Sequence, residues 1–193
     1  GSVVGNIAAT QDVEALGIPA TLGVGLLTAS GLGVDYRSQP ASNGTIAELL
    51  VLGTAAGVGV QLTDRLAVGG QAKLATTILD GEFTGISGMT PDYNFRGTVG
   101  LTYDCNDCTT IGGFWKTEQK QRFEDFVRIP LTNVYQDVRL SLQSTWGIGI
   151  ANNSLMDGRL LLALDVLYFE WDNTDLFGAL WKNQIGVQAG LQY

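Results

Sequence analysis

The sequence has no histidine, only two cysteines and four prolines among 193 residues, and charged residues make up just 16% of it. Without histidine it lacks the side chain that most often serves as a general base or metal ligand. It also has no Gly-x-Ser-x-Gly motif, phosphate-binding loop or metal-ligand spacing. We therefore expect no enzymatic activity and no cofactor. Acidic residues outnumber basic ones by 19 to 11, without a basic cluster, which argues against a nucleic-acid partner.

Long hydrophobic runs are missing as well. No segment approaches the roughly 20 apolar residues of a membrane-spanning helix, so any insertion into a membrane has to use strands. The 26 glycines suit a chain of many strands and tight turns, because glycine accepts the backbone conformations that turns require. Length and composition indicate a single domain over residues 1–193, within which residues 1–17 are the hardest to assign.

Strict alternation of side chains is the strongest pattern in the sequence. In residues 185–193, Ile, Val, Ala, Leu and Tyr occupy one face of an extended chain, while Gly and Gln occupy the other. A strand of this length with one apolar face and an aromatic end is typical of a tilted strand in a membrane barrel. Residues 160–168 repeat the pattern. The same alternation predicts one strand over residues 138–150 and, further upstream, hairpins over residues 22–36, 58–78 and 95–117.

The connections between these strands alternate in length. Short turns are predicted at 28–31, 63–65, 104–108 and 151–158, and longer polar connections at 38–45, 80–94, 118–133 and 172–183. Bacterial barrels sort their connections in this way, with short periplasmic turns and longer extracellular loops. With a further strand in residues 2–9, the pattern predicts an all-β, antiparallel transmembrane β-barrel of about ten strands.

Aromatic residues fall near the predicted strand ends. Tyr103 and Tyr193 are expected at the periplasmic rim, and Tyr36, Trp115 and Tyr168 at the outer rim, as in the aromatic girdles of membrane barrels. The alternative is a soluble β-sandwich whose core these residues fill.

Four segments, residues 61–75, 96–117, 161–174 and 183–193, resemble the FadL/TodX (OmpP1-like) family of outer-membrane transporters. The likeness runs from about Thr45 to Tyr193. The resemblance implies a bacterial outer-membrane location, contact with membrane lipid, and passive uptake of long-chain fatty acids or other hydrophobic small molecules. It also implies a barrel of about fourteen strands. The family's N-terminal plug, with its Asn-Pro-Ala landmark, has no counterpart here, so we expect a C-terminal portion of such a barrel or a reduced relative.

An apolar lumenal wall is the candidate ligand site. If Leu160, Leu162 and Leu164 face lipid, the alternate residues face the lumen. With Phe114 they form an apolar patch that Arg96 and Lys116 could cap, which would suit an amphiphile with an acid head group. The patch residues are Phe114, Leu161, Leu167, Phe169 and Trp171. The alternative is that these side chains simply fill a small barrel, which would then be a structural or adhesive barrel, or a soluble binding module.

Cys105 and Cys108 form a Cys-x-x-Cys pair in a predicted turn. A redox site or half of a zinc site is disfavoured, because the sequence offers neither a second pair nor a histidine partner. In an oxidising periplasm, a disulfide within the turn is the simpler interpretation.

Overall fold

The computed structural model describes residues 5–35, 38, 46–81, 89–129, 132 and 134–193. Within them the chain is built almost entirely of strands, with short 3-10 turns at Glu14–Leu16, Met156–Gly158 and Phe177–Ala179. None of the described helical segments is long enough to span a bilayer. The strands are β1 (Ile7–Asp12), β2 (Ala20–Asp35), β3 (Ile46–Thr63), β4 (Leu66–Gly81), β5 (Met89–Asn106), β6 (Thr109–Lys116), β7 (Gln119–Ile129), β8 (Val134–Leu142), β9 (Ser144–Leu155), β10 (Leu160–Glu170) and β11 (Gln184–Gln192).

Nine of these strands form one antiparallel sheet in the order β1-β2-β3-β4-β5-β6-β9-β10-β11, and β7 and β8 form a separate hairpin inserted between β6 and β9. Each strand of the large sheet pairs with its neighbour in the chain, apart from that insertion, as in an up-and-down barrel wall. The predicted all-β, antiparallel architecture is therefore confirmed. Among the described residues β1 and β11 pair on one side only, so the sheet is open.

From β3 to β11 the connections alternate in length between the two ends of the sheet. One end, which we call the turn end, carries the short connections at 13–19, 64–65, 107–108 and 156–159. The other, the loop end, carries the connections 36–45, 82–88 and 171–183 together with the β7–β8 hairpin. The predicted alternation holds from β3 to β11, whereas 13–19 and 82–88 are equally long. The loop predicted at 38–45 lies almost wholly outside the described residues, and residues 89–94 of the loop predicted at 80–94 belong to β5.

The turn predicted at residues 28–31 is wrong. Strand β2 continues through this segment with an irregularity between Thr28 and Ser30, and β3 pairs with both halves, Thr28 with Leu52 and Ser30 with Val51. A β-bulge absorbs one extra residue without ending the strand, so small polar residues that resemble a turn are kept within the sheet. Tyr36, predicted at the outer rim, lies outside the described residues.

The single strand predicted over residues 138–150 is also wrong. The chain leaves the ladder at Gln143, so that β8 belongs to the hairpin and β9 to the large sheet. Leu140 is buried against Phe123 in the hairpin, whereas Ile148 on β9 is exposed on the sheet. Alternation is the same in both strands, so it could not show that they bury different faces. The segment 118–133, predicted as a loop, contains β7.

The two faces of the large sheet differ sharply. On one, the outer face, large apolar side chains are exposed from β2 to β11; they include Leu22, Val24, Val58, Leu74, Val99, Leu101, Ile148, Ile150, Leu162, Leu164, Val166, Val187 and Leu191. The other, the inner face, carries mostly Gly, Ala, Thr and Gln. A soluble sandwich would bury its apolar face against a second sheet, and no described element packs on the outer face in this way.

Aromatic residues mark two levels of the outer face. Near the loop end Trp115 stacks on Trp146 with ring centroids 5.5 Å apart, and Trp146 pairs in register with Tyr168. Tyr103 and Tyr193 lie at the turn end. Tyr193 is eight positions along the chain from Ile185, which pairs in register with Tyr168, and eight positions are about 26 Å of extended chain. For a tilted strand this span is comparable with the apolar band of a membrane barrel, about 25 Å tall.

Candidate functional site

The inner face borders a cavity of about 1000 Å³ that extends across the sheet from β1 to β11. The wall consists mainly of glycine and other residues with small side chains, which occupy the inner positions of successive strands. Examples are Gly57, Gly69, Thr98, Gly100, Gly112, Gly149, Ala151 and Ala163. Small side chains leave the space open instead of filling it. Among the described residues that line the cavity, Asp165 is the one that is charged.

Phe114 and Leu167 form an apolar patch in the wall. Both are in register with Gly147, Phe114 from β6 and Leu167 from β10. The Phe114 ring occupies the space that a Cβ on residue 147 would fill. Gly147 therefore leaves room for the ring over β9, between the two strands that supply the patch. These two members of the predicted apolar wall are brought together at the cavity.

The other three members of that wall lie elsewhere. Phe169 faces inward, but its ring lies over Gly186 on β11, with Cε2 3.2 Å from the position that a Cβ there would occupy. Leu161 is exposed at the turn end of β10. Trp171 follows β10 and packs edge-on against Trp181, with a centroid distance of 4.7 Å. None of the three is among the described lining residues, so the apolar patch is smaller than the sequence predicts.

Arg96 serves a purpose that the sequence did not indicate. Its Nε donates to the carbonyl oxygen of Thr117 at 2.8 Å, and its Nη2 donates to that of Gln143 at 2.5 Å. These two residues flank the β7–β8 hairpin, so the guanidinium holds the two ends of the hairpin together. Two of its donor directions are thereby occupied and are not available to a ligand head group.

Two lysines accompany Arg96 on the inner face near the loop end. Lys73 is in register with Arg96 across β4 and β5, and Lys116 Nζ lies 6.0 Å from the Phe114 ring centroid. That distance is the limit of a cation–π contact. Lys116 therefore adjoins the apolar patch, but it is not among the described residues that line the cavity.

The β7–β8 hairpin packs over the inner face of β4 and β5 through a buried polar network. Thr77 Oγ1 accepts hydrogen bonds from Asn94 Nδ2 and Gln121 Nε2, both at 3.0 Å, and Gln119 Nε2 donates to Asn94 Oδ1. All four side chains are buried. The network is satisfied in part, because the Oε1 atoms of Gln119 and Gln121 are buried without a hydrogen-bond partner among the described residues. The bonds that are made favour one arrangement of the elements that carry them.

The same hairpin contacts the connection between β10 and β11. Phe177 packs against the pair Phe123 and Leu140, and Ser141 Oγ donates to Asp175 Oδ2 at 3.2 Å. The hairpin thus links the inner face of β4 and β5 to the 171–183 connection. Together these two segments form a cap at the loop end, which we call the loop-end cap.

The turn that carries the two cysteines is tied to its neighbours by backbone contacts. Arg65 Nη1 donates to the Cys105 carbonyl oxygen at 3.4 Å, and the Asn153 backbone N–H donates to that of Cys108 at 2.9 Å. Both thiols are free and exposed. The Cys105–Cys108 disulfide stays a prediction.

Comparison with known proteins places the fold. No protein-family model matches the chain, and no curated protein matches it. Solved structures do match. The TodX deltaS2S3 mutant monoaromatic hydrocarbon channel has a TM-score of 0.65 and 18% sequence identity, over 87% of this chain and 54% of that one. The Ralstonia pickettii toluene transporter TbuX has a TM-score of 0.58 and 18% identity, over 80% of this chain and 52% of that one. A Pseudomonas aeruginosa FadL homologue has a TM-score of 0.73 and 9% identity, over 97% of this chain and 56% of that one.

At these identities the likeness shows the fold, which is that of the antiparallel wall of FadL-type channels. The chain spans about half the length of each of these structures. An open sheet of nine strands is consistent with that share.

Proposed function

We propose that this chain forms part of the wall of a bacterial outer-membrane channel of the FadL/TodX type, and that hydrophobic small molecules cross this channel without energy input. The observation that carries the proposal is the open cavity of about 1000 Å³ on the inner face of a sheet whose outer face is apolar and exposed. A channel needs both features, whereas an enzyme needs a catalytic group that the lining does not suggest.

The membrane location is supported by the outer face and by the sorted connections. Exposed Leu, Val and Ile side chains on every strand from β9 to β11 would be costly in water and are favourable in lipid. A membrane also requires that the edges of β1 and β11 be paired, because unpaired backbone groups are not tolerated in hydrocarbon. Further strands of the complete barrel would supply that pairing.

The chemistry of the lining supports a hydrophobic cargo. Phe114 and Leu167 present apolar surface, and most other lining residues are small and uncharged. The similar structures include a toluene transporter and a monoaromatic hydrocarbon channel, and the size of the cavity suits molecules of that class or a fatty acyl chain. A purely structural barrel of few strands would fill its interior with side chains, and here the inner positions are small instead.

Binding to the complete protein and uptake by cells that express it test this proposal. Leu167→Gln should weaken the binding of a hydrophobic probe such as naphthalene about tenfold, because burying a leucine side chain contributes roughly 1.5–3 kcal/mol. Leu161→Gln is the matched control, since Leu161 is on the same strand and inner face but outside the lining. Equal losses in both variants, or no naphthalene entry in cells that express the wild type, would contradict the channel.

A further inference from the structure

Asp165 is set apart from every other residue of the cavity wall by its charge. Its neighbours in register are Gly149 on β9 and Gln188 on β11, which are both neutral. The carboxylate occupies the space that a Cβ on residue 149 would fill, so glycine at that position is what allows the group to lie across the wall. No described residue forms a hydrogen bond or an ion pair with it.

In the part of the chain that the structure describes, the positive charges of the inner face lie too far away to neutralise Asp165. Lys116 is the nearest of these cations along the ladder. Asp165 pairs with Gly149, and Gly149 pairs with Gly112 on β6. Lys116 lies four positions beyond Gly112, which is about 13 Å of extended chain. A separation of that size exceeds an ion-pair distance and the Debye length at physiological ionic strength, about 8 Å. Arg96 is further away and holds the carbonyl groups of Thr117 and Gln143.

The charged side chains of the inner face are spread along the strands. Lys73, Arg96 and Lys116 lie towards the loop end, where the Asp92 carboxylate also lies and accepts a hydrogen bond from the Arg122 backbone N–H at 3.1 Å. Along the ladder Asp165 lies closer to the turn end, and Asp104, closer still, accepts a hydrogen bond from Thr110 Oγ1 at 2.6 Å. Among the described lining residues, Asp165 is therefore the fixed charge that a molecule in the cavity meets.

We propose that Asp165 is a specificity-determining residue, which disfavours anionic hydrophobes in the cavity and leaves uncharged ones unaffected. The inference rests on the proposed channel function and narrows its cargo. Two like charges a few ångströms apart repel strongly where the walls restrict water, and a narrow channel concentrates the field of a fixed charge. An uncharged aromatic molecule experiences no such repulsion and gains from contact with Phe114 and Leu167.

A matched pair of probes separates charge from size. Naphthalene and 2-naphthoate have the same ring system, and 2-naphthoate is an anion at pH 7.5. Binding of each is measured by equilibrium dialysis to the complete protein in lipid nanodiscs, with empty nanodiscs subtracted. In the wild type, 2-naphthoate should bind more weakly than naphthalene. Asp165→Asn should strengthen 2-naphthoate binding about tenfold with little change for naphthalene.

Two control variants make the result specific. Asp165→Glu keeps the charge and should retain the wild-type preference. Asp157→Asn removes one negative charge from the turn end outside the cavity, at a residue with φ of 55° where asparagine is well tolerated, and should change neither affinity.

Each outcome decides between the claims. If naphthalene binds all four proteins and Asp165→Asn leaves the ratio of the two dissociation constants within twofold, Asp165 does not select by charge, while the channel proposal stands. If Asp157→Asn shifts the ratio as much as Asp165→Asn, the effect is one of net charge and the assignment to Asp165 is overturned. If naphthalene binds none of them, the channel proposal fails and this inference fails with it.

Discussion

The ring of Phe114 on β6 lies in the space that a side chain on Gly147 of β9 would need, so the absence of a Cβ at residue 147 positions the largest apolar side chain of the cavity wall. Leu167 borders the same glycine from β10. The shape of the patch is therefore set by three strands, and its centre is a residue without a side chain.

Gly147→Ala should push the Phe114 ring off the wall and into the cavity. Overpacking of this kind costs about 1–3 kcal/mol, measurable as a lower free energy of unfolding in lipid or detergent. Gly59→Ala is the control, because a Cβ there meets no atom within 4 Å. If the two substitutions are equally mild, the ring does not depend on Gly147 for its position.

Loss of the Arg96 guanidinium should loosen the loop-end cap while the large sheet stays folded. Arg96→Met removes the donors to Thr117 and Gln143, and hydrogen bonds from charged groups contribute about 1.5–3 kcal/mol each where they are buried. Limited proteolysis should then cut within residues 119–142 faster than in the wild type. The control is Lys116→Met, which removes a neighbouring cation that does not hold the hairpin.

Should Arg96→Met and Lys116→Met be cut at the same rate, the two carbonyl contacts are not what holds the hairpin. Cutting throughout the chain would instead show that Arg96 supports the whole sheet.

The carboxylate of Asp137 in the hairpin should titrate below its ordinary range. Arg122 donates to Asp137 Oδ2 at 2.6 Å, and the Asp125 backbone N–H donates to Oδ1 at 3.1 Å. The Arg122 hydrogen bond is the main cause that lowers the pKa of Asp137 from 3.8. Because the pKa is lower in the folded protein, the interaction stabilises the hairpin above about pH 4 and is lost as the pH falls through the folded value.

Carboxyl-carbon NMR titration of Asp137 checks this. Arg122→Met should raise the pKa towards its ordinary value. Arg139→Met should have a smaller effect, because Arg139 contributes only a minor charge interaction to Asp137. A wild-type pKa at or above 3.8 would contradict the pairing.

The sequence predicts the architecture well because alternation is a local property. Ile185, Val187 and Leu191 are exposed on one face of β11, as the alternation indicates, and the short turns at 64–65 and 107–108 fall within segments that the sequence marks as turns. Such features depend on neighbouring residues alone. The bulge at Thr28 and Ser30 does not, since only pairing with β3 distinguishes it from a turn.

The candidate site was predicted only in part, because it depends on which strands are adjacent. Phe114 and Leu167 meet at Gly147 only because β6 pairs with β9 across the inserted hairpin. Trp171 leaves the inner face because β10 ends at Glu170 and the chain folds onto Phe177 and Trp181. The sequence does contain one signal of the site, the alternate glycines Gly147 and Gly149. Each leaves an inner position of β9 without a side chain, and the side chain of a residue on a neighbouring strand occupies that space. Phe114 on β6 does so at Gly147, and Asp165 on β10 does so at Gly149.

Cys105 and Cys108 should be joined by a disulfide in protein exported through an oxidising periplasm. Replacing both with serine should leave the free energy of unfolding nearly unchanged, since so short a loop constrains the unfolded chain little. Thiol titration of the unreduced protein should find no free thiol. Two reactive thiols in that sample would rule the bridge out, and a large loss of stability in the double variant would show that the bridge stabilises more than its own turn.

The outer face should contact lipid, and Leu164 tests this near the centre of β10. Leu164→Arg should cost about 2–4 kcal/mol of folding free energy in a bilayer, because a charged side chain near the midplane has to leave water. Gln188→Arg is the control at the same depth: Gln188 pairs in register with Asp165 on the inner face, where an arginine stays hydrated. Urea titrations of the complete protein in lipid vesicles give both values. Equal costs for the two substitutions would mean that the apolar face meets protein or water rather than lipid. A wild-type chain that is folded and monomeric in buffer without lipid or detergent would contradict the membrane location altogether.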